Sequence, residues 1–217
     1  MKKKKRLARE SRKTKETDIS VKLAIDGSGK TKIKTGIGFL DHMLELFAFH
    51  GFFDLEVTAR GDLQVDIHHT NEDVGLMLGR AFKKALGDKK GIRRFGFAQV
   101  PMEEVTAAVA LDINGRGFFS IKEAGAGLLT GAIQESPGGL SAVFNKQEDY
   151  EFEYAEHFFD AFAKNTGMNL NILLFNPKKD LHAVLEPVFK ALGLALDQAT
   201  GIDPRRKGVP STKGVID

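Results

Sequence analysis

From Thr17 onward, apolar residues alternate with polar ones at Ile19, Val21, Leu23 and Ile25, the period of a half-buried strand. A turn at Asp26-Gly27-Ser28-Gly29 follows, and Lys30 to Lys34 reads as the returning strand of a hairpin. Residues 39 to 50 switch to helical spacing and stop at Gly51, which suits a helix C-terminus. The pattern then predicts strands over 53–59 and 63–67, a long helix over 70–86 ending at Gly87, and strands over 95–100, 104–113 and 118–122. Residues 125 to 145, rich in Gly, Ser and Ala, read as a mobile insertion.

The chain repeats itself. At an offset of 114, residues 68–87 match 182–201 with eight identities in twenty positions, among them His68 with His182, Glu72 with Glu186 and Gly79 with Gly193. At an offset of 115, Asp41-His42 meets Glu156-His157 and Phe47-Ala48 meets Phe162-Ala163. Shared helical periodicity accounts for the apolar matches but not for the paired His and Glu, so an internal duplication is expected. Each half then runs helix with an early His, strand, and helix opened by His-x-x-x-Glu.

With 217 residues, 42% hydrophobic and 28% charged, the chain can bury a core of one or two domains. The absence of cysteine removes disulfides, thiolate metal sites and cysteine nucleophiles, so any metal must use His, Asp or Glu. Residues 1–15 carry +8 of charge, leaving the remainder near −5; residues 1–12 therefore read as a basic disordered tail on a mildly acidic body. That body argues against nucleic acid as a partner, and the lack of a long apolar run argues against a membrane. A cytoplasmic location is the expectation.

Within His68-His69-Thr70-Asn71-Glu72, residues 68 and 72 lie one turn apart on one face, so imidazole and carboxylate can converge on a single ion. His69 is rotated about 100° away and is placed to serve a different metal or another subunit. Five histidines, His42, His68, His69, His157 and His182, together with Glu72 and Glu186, predict two metal sites, of a kind suited to Mn, Fe, Zn or Ni. His50, beside Gly51, is a candidate for either a helix-end hydrogen bond or a ligand contact. Arg94, Arg116, Lys190, Ser211 and Lys213 are cations and a hydroxyl of the type that a phosphate needs.

Gly38-Phe-Leu-Asp-His-Met-Leu44, His68-His-Thr-Asn-Glu-Asp73, Gly91-Ile-Arg-Arg-Phe-Gly96, Glu156-His-Phe-Phe159 and Pro210-Ser-Thr-Lys-Gly-Val215 resemble the imidazoleglycerol-phosphate dehydratases, from about Lys13 to Asp217. The resemblance implies an α+β fold of two half-domains, over 13–93 and 94–217, each a four-stranded sheet packed on two helices as in ribosomal protein S5 domain 2. It implies the step of histidine biosynthesis that converts imidazole glycerol phosphate into imidazole acetol phosphate, two manganese ions per subunit, and a 24-subunit homo-oligomer with sites between subunits. His42, His68, His69, Glu72, His157, His182 and Glu186 fall on its metal-ligand positions. Glu16, His42, His50, Arg94, Arg116, Lys190, Ser211 and Lys213 are assigned to the substrate, and Glu16, His69, Glu72 and Glu186 to the chemistry. One position departs: Ala183 stands where the family has a second imidazole, so one ion is expected to be held more weakly unless Asp180 or water replaces it. A degenerate paralogue, binding metal without dehydrating, is the alternative.

Overall fold

A computed structural model describes residues 6–124, 140 and 143–216. The order is β1 (Leu7–Lys13), β2 (Thr17–Ala24), β3 (Thr31–Lys34), α1 (Gly38–His50), β4 (Asp54–Gly61), α2 (Ile67–Leu86), then β5 (Phe95–Met102), β6 (Val105–Asp112), β7 (Phe118–Glu123), α3 (Phe152–Thr166), β8 (Asn169–Phe175) and α4 (Leu181–Thr200). The same succession, three strands, helix, strand, helix, occurs twice. The sheets have equivalent orders, β1-β2-β4-β3 and β5-β6-β8-β7, each with one parallel pair at the β3 or β7 edge. The duplication expected from the His and Glu pairs is therefore present at the level of topology.

The helices fill the space between the sheets. α2 packs on β1, β2 and β4, and α4 packs on β5 and β6, while α2 meets α3 and α4 meets α1. Each half's first helix thus lies against the other half's second helix. The repeated glycines make this approach possible: a Cβ on Gly79 would sit 2.7 Å from the Phe162 carbonyl oxygen, and one on Gly193 2.4 Å from that of Phe47. Gly193→Ala is expected to destabilise the fold by about 1–3 kcal/mol, because backbone rather than a pliable side chain must yield. Denaturant melts would show it; a neutral or stabilising change, as alanine gives in an open helix, would contradict the packing.

Three sequence expectations need correction. Residues 30–34 do not return as a hairpin partner of β2; β3 pairs parallel with β4, because β2 is already flanked by β1 and β4. The Asp54 carboxylate directs this crossover by accepting from the backbone N–H groups of Ser28 (2.8 Å) and Lys30 (3.1 Å). Residues 63–67 alternate like a strand but turn instead, with the Val65 N–H donating to the Asp62 carbonyl and Ile67 already in α2. Val65 is 70% exposed, so its place in the alternation reflects no buried face.

The basic tail is the third. Leu7–Lys13 forms β1 and pairs along its length with β2, with Ala8 buried. Among the described residues, Arg6 pairs with Asp26, Arg12 with Asp73 and Glu10 with Lys84. Charge density hid a strand whose inward positions are few. Most of the Gly-rich stretch placed at 125–145 lies outside the described residues.

Candidate metal-binding and active site

All the histidines but His50 lie toward the N-terminal ends of helices, and aspartates hold these ends in α1, α2 and α4. Asp66 accepts from the backbone N–H of His68 (2.8 Å), and Asp180 from those of His182 (2.9 Å) and Ala183 (3.4 Å). A carboxylate at this position satisfies an orphan helix donor. Both bonds fall on Oδ1 of Asp180, so the N-terminal cap of α4 uses one oxygen of this carboxylate. In α1 the anchor is Asp41, which accepts from the Thr35 N–H (2.8 Å) and hydroxyl (2.5 Å) and holds the turn bearing His42.

Because α1 lies against α4, His42 meets His182 and Glu186. His182 Nε2 is 2.9 Å and His42 Nε2 3.7 Å from Glu186 Oε2, and the imidazole rings are 5.3 Å apart. Donor atoms of these three residues fall within 4.8 Å of one another. Two imidazoles and a carboxylate with no thiolate form a donor set that fits a divalent first-row ion. Lys190 Nζ donates to the other oxygen of Glu186 at 2.5 Å. Burial disfavours the Glu186 carboxylate, but the hydrogen bonds from Lys190 and His182 outweigh it and hold the carboxyl below its ordinary range. His50 lies close enough to feel Lys190 and Glu186; burial, then the Lys190 charge, lowers its pKa.

The repeat-related residues His68, Glu72 and His157 meet where α3 lies against α2, but in pairs on different edges of the His68 ring and not around one point. His68 Nε2 is 3.2 Å from Glu72 Oε2, and His68 Nδ1 is 2.9 Å from His157 Nδ1, so one ring donates to the other. A continuous run of rings links the two sets, His182–Phe39–Tyr150–Tyr154–His68, with centroids 5.0 to 6.4 Å apart. At its middle, buried Tyr150 donates to Asn71 Oδ1 (2.8 Å), while Asn71 Nδ2 donates to the Tyr154 carbonyl (2.6 Å). Tyr150→Phe is expected to cost about 1–3 kcal/mol in denaturant unfolding, because it leaves a buried amide oxygen without a donor; no loss would show that the bond carries nothing.

His69 stands apart from both sets. Its Nδ1 is 3.2 Å from Asp62 Oδ2, and that hydrogen bond raises its pKa against the effect of burial, with Glu16 and Asp66 adding to the field. Glu16 is tied to this corner by the Asp62 N–H, which donates to its backbone carbonyl (3.1 Å).

The phosphate-type residues divide. Lys190 is at the first His set, but Arg94, Ser211 and Lys213 gather around the other end of α4, and Arg116 lies beside the C-terminal end of α3, where the Gly115 N–H donates to the Gly167 carbonyl. Arg94 donates its backbone N–H to the Ala199 carbonyl (2.9 Å). Ala199 is thirteen residues beyond Glu186, or about 20 Å along the helix. The Arg94 guanidinium is bidentate on Asp112 (2.6 and 2.9 Å) and donates to the Pro210 carbonyl (3.0 Å), so it pins the segment bearing Ser211 and Lys213. Arg116 follows in the β6–β7 turn, three residues beyond Ile113, whose N–H donates to the Arg94 carbonyl. Asp62, Asp66, Tyr150 and Asn71 are site-forming residues that sequence reasoning missed. Only the aspartates before each His-x-x-x-Glu carried a signal, as helix N-caps.

Comparison with known proteins identifies the family and the fold. Residues 35–196 match the family model for imidazoleglycerol-phosphate dehydratase. Imidazoleglycerol-phosphate dehydratases of Thermoanaerobacter sp. (strain X514) and Caldanaerobacter subterraneus subsp. tengcongensis are 48% and 50% identical to the chain, over 97% of it and 100% of each relative. The fold is similar to that of the Staphylococcus aureus enzyme, with a TM-score of 0.71 and 29% identity over 91% of this chain and 99% of the other. It is also similar to that of the Pyrococcus furiosus enzyme in complex with (S)-C348, with a TM-score of 0.73 and 31% identity over 95% and 99%. With a converging His–His–Glu set where α1 meets α4 and these likenesses along nearly its whole length, the chain belongs to the imidazoleglycerol-phosphate dehydratase family.

Proposed function

We propose that the chain removes water from imidazole glycerol phosphate to give imidazole acetol phosphate, within histidine biosynthesis and in the cytoplasm, using two manganese ions. The observation that carries this reading is the His42–His182–Glu186 set, whose donor atoms fall within 4.8 Å of one another, together with its repeat-related counterpart His157–His68–Glu72, which meets in pairs through the His68 ring. Each would hold one ion. Bound there, the ions would act as Lewis acids on the azole, stabilising the negative charge that develops when a proton leaves the carbon next to the ring.

The chain's own residues do the rest. Glu16 and Glu72 both bear carboxylates in reach of the histidine-rich corner, but Glu72 faces His68 at 3.2 Å as a ligand would. Glu16, beside the His69–Asp62 pair, is the better proton carrier: it takes the carbon-bound proton, and a proton is delivered to the departing hydroxyl. Lys190, Arg116, Ser211 and Lys213 bind the phosphate, and Arg94 positions the last two through Asp112 and Pro210.

Within one chain Ser211 and Lys213 stand at the far end of α4 from Glu186, Arg116 lies beside the C-terminal end of α3, and His69 turns away from both sets. A homo-oligomer, of 24 copies by the family resemblance, would bring these residues of one copy to the ligands of another. The test is formation of imidazole acetol phosphate from imidazole glycerol phosphate by folded protein supplied with manganese. Binding of metal with no product at any metal concentration would leave the second reading, a metal-binding assembly, which Ala183 favours.

A further inference from the structure

The two His–His–Glu sets are related by the internal repeat, and the repeat breaks at one charged position beside them. Glu186 is followed one turn later by Lys190, whose ammonium sits on its carboxylate at 2.5 Å. At the equivalent place after Glu72 the chain has Leu76. Glu186 is also the more enclosed carboxylate, 15% exposed against 49% for Glu72. One set therefore already contains a cation, and the other does not.

We propose that Lys190, held on the Glu186 oxygen that turns away from the imidazoles, acts as an internal counter-ion that opposes a divalent cation at the other oxygen, so that an anion able to pair with the ammonium tightens cation binding at His42–His182–Glu186 and leaves His157–His68–Glu72 unchanged. The physical basis is repulsion across one carboxylate, with the ammonium on one oxygen and the cation's place at the other. A +1 charge beside the site of a +2 ion repels it, and the repulsion falls when the ammonium pairs with a third, anionic partner. Coupling of this kind is reciprocal, so the cation must also tighten the anion. A dianionic phosphate is the fitting class, since an ammonium at the edge of a metal site offers it three donors and a point charge. That the anion is the phosphate group of the substrate rests on the proposed function; the coupling itself does not require turnover.

The test is a titration of the metal-free full-length protein with Mn2+, reading the free ion by its paramagnetic resonance signal, in the presence and absence of inorganic phosphate. Two classes of site are expected, with His182→Ala removing one and His157→Ala the other. Phosphate should tighten the class lost in His182→Ala by on the order of tenfold and leave its sister unmoved. Lys190→Met should tighten that same class without phosphate and abolish the phosphate effect. The proposal is overturned if phosphate shifts both classes equally or neither, or if Lys190→Met leaves both affinities and the phosphate response as they were. Failure to turn over imidazole glycerol phosphate would count against the dehydratase reading while leaving this titration to be judged by itself.

Discussion

Glu72→Gln should bind one manganese ion fewer per chain than the parent protein and lose turnover by roughly 100-fold or more. The exchange keeps size and shape but removes the charge that faces His68 at 3.2 Å. A neutral amide is a poor partner for a divalent ion, and deleting a group that stabilises developing charge costs factors of this order. Glu72 is half exposed at the start of α2 and takes no part in the core, so the variant should fold and melt as the parent does. Normal stoichiometry with full activity would remove Glu72 from the ligand set; normal stoichiometry with lost activity would make it the proton carrier instead of Glu16.

Phe162→Ala should destabilise the fold by about 3–5 kcal/mol, as removal of a large buried aromatic side chain does. Phe162 is fully buried in α3, with its ring 6.2 Å from Phe47 of α1, 5.6 Å from Phe82 of α2 and 6.1 Å from Phe158. It therefore joins helices of both halves at the level where α3 lies against α2. A loss below about 1 kcal/mol in denaturant unfolding would mean that the halves are held together elsewhere. Cavity formation here should also loosen the contact between His157 and His68, so metal affinity at that set is expected to fall with stability.

The helices and the repeat were legible because two periodicities overlap in α1 to α4: the apolar 3.6-residue spacing, and the recurrence of His and Glu at offsets of 114 and 115. That Gly79 and Gly193 recur in the second helix of each half was visible too, although their use, close approach to Phe162 and Phe47, needs the packed helices. The pairing of α1 with α4 and of α2 with α3 could not be read from the chain, since amphipathic stripes say how much is buried but not against what. That pairing decides the ligand sets.

Strand order was the weaker part. Lys30–Lys34 looked like a hairpin return because turn chemistry is local, whereas the capture of that loop by Asp54 is a contact across the fold. β1 was obscured by composition, since eight of the first thirteen residues carry positive charge, six of them before or directly after Ala8, and mask the one buried position. At the site, residue types were readable and their distribution was not. Arg94 looks from sequence like a phosphate ligand, but Asp112 and the Pro210 carbonyl occupy its guanidinium. His69 follows His68 directly, and helix geometry alone sends it to Asp62 instead of to the shared ion.

The central claim is that two His–His–Glu sets make this chain a metal-dependent dehydratase despite Ala183. The most direct measurement is turnover of imidazole glycerol phosphate by the chelator-stripped protein before and after manganese is restored, following imidazole acetol phosphate. The account predicts no product from the stripped protein and product that rises with manganese until both sets are filled. Undiminished turnover after complete stripping, or none from folded protein with both sets filled, would contradict it.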